Sequence, residues 1–197
     1  MHENCATVRK PHPQNPTGPP VLIVVTGPPG SGKSAIAAEL RALLGFPLVA
    51  KDALKEVLGE ALQVEGREDS QRLGGAIFQV LAHVVHELLA NGVSVIAEGN
   101  FQAGSPLFTG LPPARIVQVH LTAEPQLLRT RMLERAPNRH AVHWDRGAAD
   151  EVVARATAGE WDALPLDGEL LEVDTTEWPD LDELTSALAR LLGPGCR

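Results

Sequence analysis

Short apolar runs recur along the chain, separated by stretches whose apolar residues are spaced as on one face of a helix. Five of these runs predict β-strands, at residues 21–25, 46–50, 93–97, 115–121 and 170–173. The first run is β-branched or aliphatic throughout, with no polar residue in alternation. Such a run is typical of a central parallel strand that is buried on both faces.

Helices are predicted between these strands, at residues 33–44, 53–58, 71–90, 150–161 and 181–192. A further helix is predicted to run from Thr122, as its N-cap, to about residue 136. The segment 71–90 has the clearest helical periodicity, and Asn91 and Gly92 supply its stop. Because strands alternate with helices, we expect a three-layer α/β fold: a five-stranded parallel sheet with helices on both faces.

One domain is expected over residues 21–193, because the sequence contains neither an internal repeat nor a clear domain boundary. Residues 1–20 include five prolines and few apolar residues, which predicts a disordered N-terminal arm. Residues 194–197 are predicted to be a short tail.

Acidic residues outnumber basic ones, 25 to 17, and the net charge is −8. This charge makes nucleic acid an unlikely partner, since surfaces that bind phosphate backbones are usually basic. Four arginines nevertheless fall in one short segment, at Arg129, Arg131, Arg135 and Arg139. A local basic cluster on an acidic protein indicates a small anionic ligand rather than a polymer.

We expect a cytoplasmic protein, a monomer or homodimer, that makes no membrane contact. No apolar run approaches the roughly 20 residues that a membrane span needs, and the start of the chain has no signal-peptide pattern. The two cysteines, Cys5 and Cys196, lie near opposite ends. They are read as free thiols of a reducing cytosol, with a disulfide between the termini as the alternative.

The strongest motif is a glycine-rich turn between the first strand and the first helix. It matches G-x-x-x-x-G-K-[ST] at every fixed position, with the residues Gly27, Pro28, Pro29, Gly30, Ser31, Gly32, Lys33 and Ser34. In such a loop the backbone amides and the helix N-terminus surround phosphate oxygens. We therefore predict that the loop binds ATP, that Lys33 reaches its β- and γ-phosphates, and that Ser34 ligates Mg²⁺.

The motif alone does not choose among the classes of nucleoside triphosphatase. The chain lacks an [NT]-K-x-D guanine-reading motif, which argues against a GTPase. Its third strand ends near Glu98 rather than at the aspartate found in many ATPases. A single domain of this size also leaves no room for the second subdomain of an AAA machine.

Asp52 follows the second predicted strand, beside Lys51. In a doubly wound sheet this position faces the same crevice as the phosphate-binding loop. A carboxylate there can accept the proton of a hydroxyl that attacks the γ-phosphate. The alternative is that Asp52 is only the N-cap of the helix 53–58; the two roles are compatible.

On these residues the chain resembles the small P-loop kinases of the zeta-toxin and chloramphenicol-phosphotransferase type. The resemblance covers about residues 21–192 and is specific in five patches: residues 27–34, 51–52, 98–101, 131–145 and 173–176. It implies that Asp52 is the base, that Glu98 holds the acceptor, and that the arginine-rich segment forms a lid over the phosphates. It also implies that the loop after the last strand, with Asp174 and Thr175, borders adenine.

The predicted lid spans about residues 136–149. Arg131 and Arg135 lie at i and i+4 on one helix face, and Arg139 follows the helix-breaking residues 137–138. Guanidinium groups stabilise the charge that phosphoryl transfer spreads over the equatorial oxygens. We expect Arg135 and Arg139 to act in catalysis and Arg131 to contact the nucleotide; the alternative is a solvated helix in which Glu134 pairs with an arginine.

His140 and His143 lie where related kinases often carry His-Pro-Gly-His, although Ala-Val replaces Pro-Gly in this chain. Three roles remain open for this pair: a metal site, acceptor recognition by His140, and plain local packing. The metal site is the least favoured role because no third ligand accompanies the pair. Phe101 and Trp144 are candidates for lining an acceptor pocket, although aromatic residues more often belong to the core.

These observations predict an ATP-dependent kinase whose acceptor is a hydroxyl of a small molecule held between Asp52 and Glu98. The acceptor class stays open among an antibiotic, a sugar or nucleotide sugar, and another metabolite. A 5′-hydroxyl polynucleotide kinase would share the same motifs but predicts a basic track. A non-catalytic, nucleotide-dependent regulatory ATPase would require Asp52 and Glu98 to be incidental.

Overall fold

Five parallel strands form one sheet in the spatial order β2-β3-β1-β4-β5. The strands are β1 (Val21–Thr26), β2 (Leu48–Ala50), β3 (Val95–Glu98), β4 (Arg115–Thr122) and β5 (Glu169–Asp174). The structure is a computed structural model that describes residues 18–143 and 148–192. Most of the predicted arm, the residues Cys5, Trp144, Asp145 and Cys196, and the tail 194–197 lie outside the described residues.

Helices lie on both faces of the sheet, and six occur within residues 18–143 and 148–192. They are α1 (Lys33–Leu44), α2 (Lys51–Ala61), α3 (Arg67–Ala90), α4 (Pro125–Arg135), α5 (Ala148–Thr157) and α6 (Leu181–Leu192), with short 3₁₀ turns at Pro106–Phe108 and Ala136–Asn138. The three-layer α/β fold with a five-stranded parallel sheet is therefore confirmed.

Strand β1 is buried along its whole length because it lies between β3 and β4 at the centre of the sheet. Its side chains alternate between two cores. Ile23 and Val25 pack in the core under α1 and α6, while Leu22 and Val24 pack in the core under α3. This two-sided burial is why the run at 21–25 shows no polar alternation.

Helix α3 is long and apolar enough to cross a membrane if only length and composition are considered. Its inner face belongs to the core, however, since Ile77, Leu81 and Val85 are fully buried. The core helix of a folded domain meets the same length and composition test. The packing of α3 in the core therefore accounts for the apolar residues of its inner face.

The N-caps suggested for two helices are wrong, and α3 begins at Arg67, four residues before its predicted start. Helix α2 begins at Lys51, so Asp52 lies in its first turn and the N-cap position is Ala50, without a side-chain cap. Helix α4 begins at Pro125 with Glu124 as its N-cap, while Thr122 is the last residue of β4. Proline at the first helical position is favourable because its fixed φ suits the helix and its missing N–H is not needed there.

Replacing Leu81 with Ala should lower the free energy of unfolding by about 2–5 kcal/mol, because Leu81 is fully buried in the core under α3. Leu133→Ala in α4 is the matched control, since the Leu133 side chain is 49% exposed; its effect should stay near about 0.5 kcal/mol. Urea denaturation measures both changes. Equal losses in the two variants would contradict the packing of α3 against the sheet.

Candidate functional site

A cavity of about 550 Å³ opens at the carboxyl ends of the central strands. The phosphate-binding loop, the start of α2, the end of β3 and the end of α4 all contribute to its walls. Nine predicted site residues line it together: Pro29, Gly30, Gly32, Lys33, Ser34, Asp52, Glu98, Arg135 and Arg139. This convergence follows from the parallel sheet, because the carboxyl ends of its strands meet at one edge.

The loop between β1 and α1 is folded too tightly for side chains at two of its glycines. A Cβ atom on Gly27 would lie 2.2 Å from the carbonyl oxygen of Leu121, and one on Gly30 would lie 2.8 Å from that of Leu128. Gly32 has φ of +83° and is the N-cap of α1. The loop therefore brings the N-terminus of α1 to the cavity, where its free amides favour an anion.

Lys33 spans the loop in this structure. Its Nζ donates a hydrogen bond to the carbonyl oxygen of Pro28 at 2.7 Å. Burial lowers the pKa of Lys33 to about 8, although the nearby charges of Glu98 and Asp52 act in the opposite direction. An ammonium group with such a lowered pKa gains from any further negative charge, such as phosphate, placed beside it.

The two carboxyl groups of the cavity have different electrostatic environments. Burial alone would raise the pKa of Asp52, but the charges of Lys51 and Arg139 outweigh it and hold that pKa well below the usual range. Lys51 Nζ lies 3.2 Å from one oxygen of Asp52, and Arg139 Nη2 lies 3.0 Å from the other. Burial raises the pKa of Glu98, against the lowering effect of Lys33. Asp52 is therefore ionised at neutral pH.

Thr175 connects the phosphate-binding loop to the end of the sheet. Its Oγ1 lies 3.0 Å from the carbonyl oxygen of Ser31 and 2.9 Å from that of Thr122. Arg131 donates to the carbonyl oxygen of Thr175 at 2.6 Å, and it lies outside the residues that line the cavity. The carboxylate of Asp174 accepts from the amide of Thr176 at 2.8 Å. The contacts of Thr175 and Arg131 thus connect the phosphate-binding loop, the end of β4 and helix α4.

The predicted substrate residues Phe101 and His140, and the neighbouring His143, are placed in different ways. Phe101 is 3% exposed and packs edge-to-face against Phe78 and Phe108, with centroids 5.9 and 6.0 Å away. Its ring therefore belongs to the core that supports the site. His140 pairs with Glu60 at 3.0 Å, and His143, which lines the cavity, pairs with Glu56 at 2.8 Å. No group of three or more His, Cys, Asp or Glu residues suited to a metal occurs within residues 18–143 and 148–192.

The sequence analysis missed several residues that line the cavity, among them Lys55, Arg155 and Trp161. Lys55 lies four residues after Lys51 on α2, so helical periodicity could have identified it. The guanidinium of Arg155 lies over the ring of Trp161, 4.6 Å from its centroid. Those two reach the cavity only because α5 packs against α4, and no local pattern predicts that contact.

Comparisons with solved structures agree with this architecture. A candidate kinase from Chloroflexus aurantiacus j-10-fl is 33% identical, and the match covers 89% of this chain and all of that chain with a TM-score of 0.81. A sugar kinase from Janibacter sp. HTCC2649, unliganded, is 19% identical over 88% of this chain and 95% of that chain, with a TM-score of 0.58. A gluconokinase from Sinorhizobium meliloti 1021 is 20% identical over 88% of this chain and 93% of that chain, with a TM-score of 0.52.

The last two similarities show the fold alone, and no curated protein matches the chain. The resemblance to the zeta-toxin and chloramphenicol-phosphotransferase group stays a prediction. A family model described as an AAA domain matches residues 23–152, which include the phosphate-binding loop, Asp52 and Glu98. The chain therefore belongs to the AAA domain family and has the fold of a P-loop kinase.

Proposed function

We propose that the protein is an ATP-dependent kinase that transfers the γ-phosphate of ATP to a hydroxyl group of a small molecule. One observation carries this proposal: residues of the phosphate-binding loop and an ionised carboxylate, Asp52, line the same cavity. A triphosphatase that only binds and releases nucleotide has no need of that carboxylate. The 33% identity to a candidate kinase points in the same direction.

The nucleotide end of the cavity is formed by the loop 27–34 and the N-terminus of α1. Amides at this bend and the ammonium of Lys33 bind the β- and γ-phosphates in this proposal. The hydroxyl of Ser34 lines the cavity beside Lys33 and suits Mg²⁺, which prefers oxygen ligands and is bound mainly through phosphates and water. Bound Mg²⁺ would neutralise part of the phosphate charge. Adenine is placed near Asp174 and Thr175, as the family resemblance implies.

The acceptor end lies between Asp52 and Glu98. The acceptor hydroxyl attacks the γ-phosphorus in line with the leaving oxygen; its new O–P bond forms as the bond to the β-phosphate oxygen breaks. Asp52 takes the hydroxyl proton, and ADP leaves with the electron pair of the broken bond. Arg135 and Arg139 stabilise the negative charge on the transferred phosphoryl group. Glu98 orients the acceptor through a hydrogen bond.

The size of the cavity favours a small acceptor. Its volume of about 550 Å³ lies within the range of small-molecule sites, roughly 300–1,000 Å³. The net charge of −8 disfavours a nucleic-acid substrate, since a polynucleotide would need a basic track beyond the cavity. A library of hydroxyl compounds, with short 5′-hydroxyl oligonucleotides included, tests both classes when ADP release and product mass are measured.

Replacing Asp52 with Asn should reduce phosphate transfer by about 10²–10⁴-fold, because the amide cannot accept the proton. Binding of a non-hydrolysable ATP analogue should change little, since Asp52 faces the acceptor. Asp150→Asn is the control: this exposed carboxylate pairs with Arg129 at the surface, outside the cavity lining. Unchanged turnover in Asp52→Asn would refute its assignment as the base.

Nucleotide binding should take up protons at alkaline pH. The pKa of Lys33 is about 8 in the free protein, and bound phosphates must raise it because they stabilise the ammonium form. At a pH between the pKa of Lys33 in the free protein and its pKa in the complex, binding requires that Lys33 take up a proton. The affinity for the Mg²⁺·ATP analogue should therefore fall as pH rises through about 8. Calorimetry in buffers with different ionisation enthalpies at about pH 7 and about pH 9 measures the uptake. Equal uptake at both pH values, or uptake that survives in Lys33→Met, would be inconsistent with this role.

A further inference from the structure

The segment 140–143, here called the strap, lies along helix α2. His140 Nε2 is 3.0 Å from a carboxylate oxygen of Glu60, and His143 Nε2 is 2.8 Å from one of Glu56. Glu56 and Glu60 are four residues apart, so both ends of the strap contact one face of the helix. Because the side chain of Glu60 is 73% exposed, the outer pair contributes little by itself.

The centre of the strap is held by packing. The side chain of Val142 is 2% exposed and sits directly over Gly59 of α2. A Cβ atom on Gly59 would lie only 2.5 Å from Cγ2 of Val142, so the absent side chain creates a notch for the valine. Val142 also contributes to a small apolar cluster with Leu73 and Ile77 of α3. The valine therefore joins α2 to α3.

A buried chain of hydrogen bonds fixes the backbone at the same point. Ser70 Oγ donates to the carbonyl oxygen of Val142 at 2.6 Å, and it accepts a hydrogen bond from Lys55 Nζ at 2.8 Å. All three groups are buried, with exposures of 8% or less. Breaking such a chain would leave a buried polar group without its partner, which is costly. The strap is thus attached by both apolar and polar contacts.

Arg139 immediately precedes the strap, and its Nη2 donates to Asp52 at 3.0 Å. Asp52 and Gly59 belong to the same helix, so the helix that carries the proposed base also carries the notch. From these contacts we infer that the strap is a positioning element: Val142, seated on Gly59, holds the Arg139 guanidinium against the Asp52 carboxylate. Val142, Gly59 and Ser70 act through Arg139 and do not touch the reacting atoms.

This inference rests on the proposed function only for its catalytic meaning. The geometric part of the inference, that the strap contacts set the distance between Arg139 and Asp52, can be tested without measuring turnover. Lys51 also faces Asp52, and His143 adds a further positive charge when protonated. A test must therefore separate the guanidinium from these two groups.

The test compares four variants of the full chain: Gly59→Ala, Val142→Ala, the double variant and Gly75→Ala. Gly59→Ala should displace the strap because its methyl group would lie 2.5 Å from Cγ2 of Val142. The double variant should restore the strap in part, because the nearest remaining atom is then the Cβ of residue 142, at 3.0 Å. Gly75 is the control, since it is another helical glycine but a Cβ there would meet nothing within 4 Å. Should Gly59→Ala fail to fold, Val142→Ala and Ser70→Ala also loosen the strap.

Two readouts are needed. Hydrogen exchange of the amides of Val142 and His143 reports whether the strap is docked. Carbon-13 NMR titration of the Asp52 carboxyl group, assigned by its loss in Asp52→Asn, reports whether Arg139 is in place. In Gly59→Ala we expect faster exchange together with a rise of at least about one pH unit in the Asp52 midpoint. The double variant should reverse both changes in part, and Gly75→Ala should show neither.

Arg139→Ala separates the two roles. It should reproduce most of the rise in the Asp52 midpoint while the strap amides stay protected. Faster exchange without any rise in the midpoint would overturn the positioning role. Unchanged exchange in both Gly59→Ala and Val142→Ala, or failure of the double variant to restore protection, would overturn the docking itself. Neither readout uses ATP turnover, so the absence of kinase activity would refute only the proposed function.

Discussion

The site depends on the close approach of positive and negative groups at one strand-to-helix bend. The backbone between β1 and α1 turns so tightly that Gly27 and Gly30 have no space for a Cβ atom. The turn places Lys33 beside Glu98 and Asp52, where burial lowers its pKa. A lysine in this setting is stabilised by added negative charge, so the bend is suited to polyphosphate before any ligand arrives.

The two carboxyl groups illustrate how one cavity assigns different protonation behaviour to similar side chains. Asp52 lies at the start of a helix between two cations, whereas Glu98 is buried at the end of an interior strand. Burial raises the pKa of both carboxyl groups and the nearby cations lower it. The cations outweigh burial only at Asp52, so the pKa of Asp52 is lowered and that of Glu98 is raised. A separation of this kind is typical of sites that need a proton acceptor beside a hydrogen-bonding partner.

Much of the fold was predictable because its signals are local. The uniform apolar run of β1 indicates a strand buried on both sides, and the glycine motif defines the bend that follows it. The helix starts at Lys51 and Pro125 were missed because the residues that looked like caps, Asp52 and Thr122, are used elsewhere.

The contacts that complete the site were not predictable from the sequence. In the sequence, Val142 is an ordinary apolar residue, and only the structure shows that it packs over Gly59. Thr175 contacts Ser31, which lies more than 140 residues earlier in the chain. Trp161 reaches the cavity only through the packing of the α5 region. Such long-range pairs depend on tertiary structure, which local propensity and periodicity do not encode.

A crystal structure with Mg²⁺ and a non-hydrolysable ATP analogue tests the central claim most directly. The account predicts a triphosphate lying along residues 27–34, with Lys33 turned from the Pro28 carbonyl to the phosphates and the γ-phosphate facing Asp52. A nucleotide bound elsewhere, or a loop left empty at saturating analogue concentration, would contradict it.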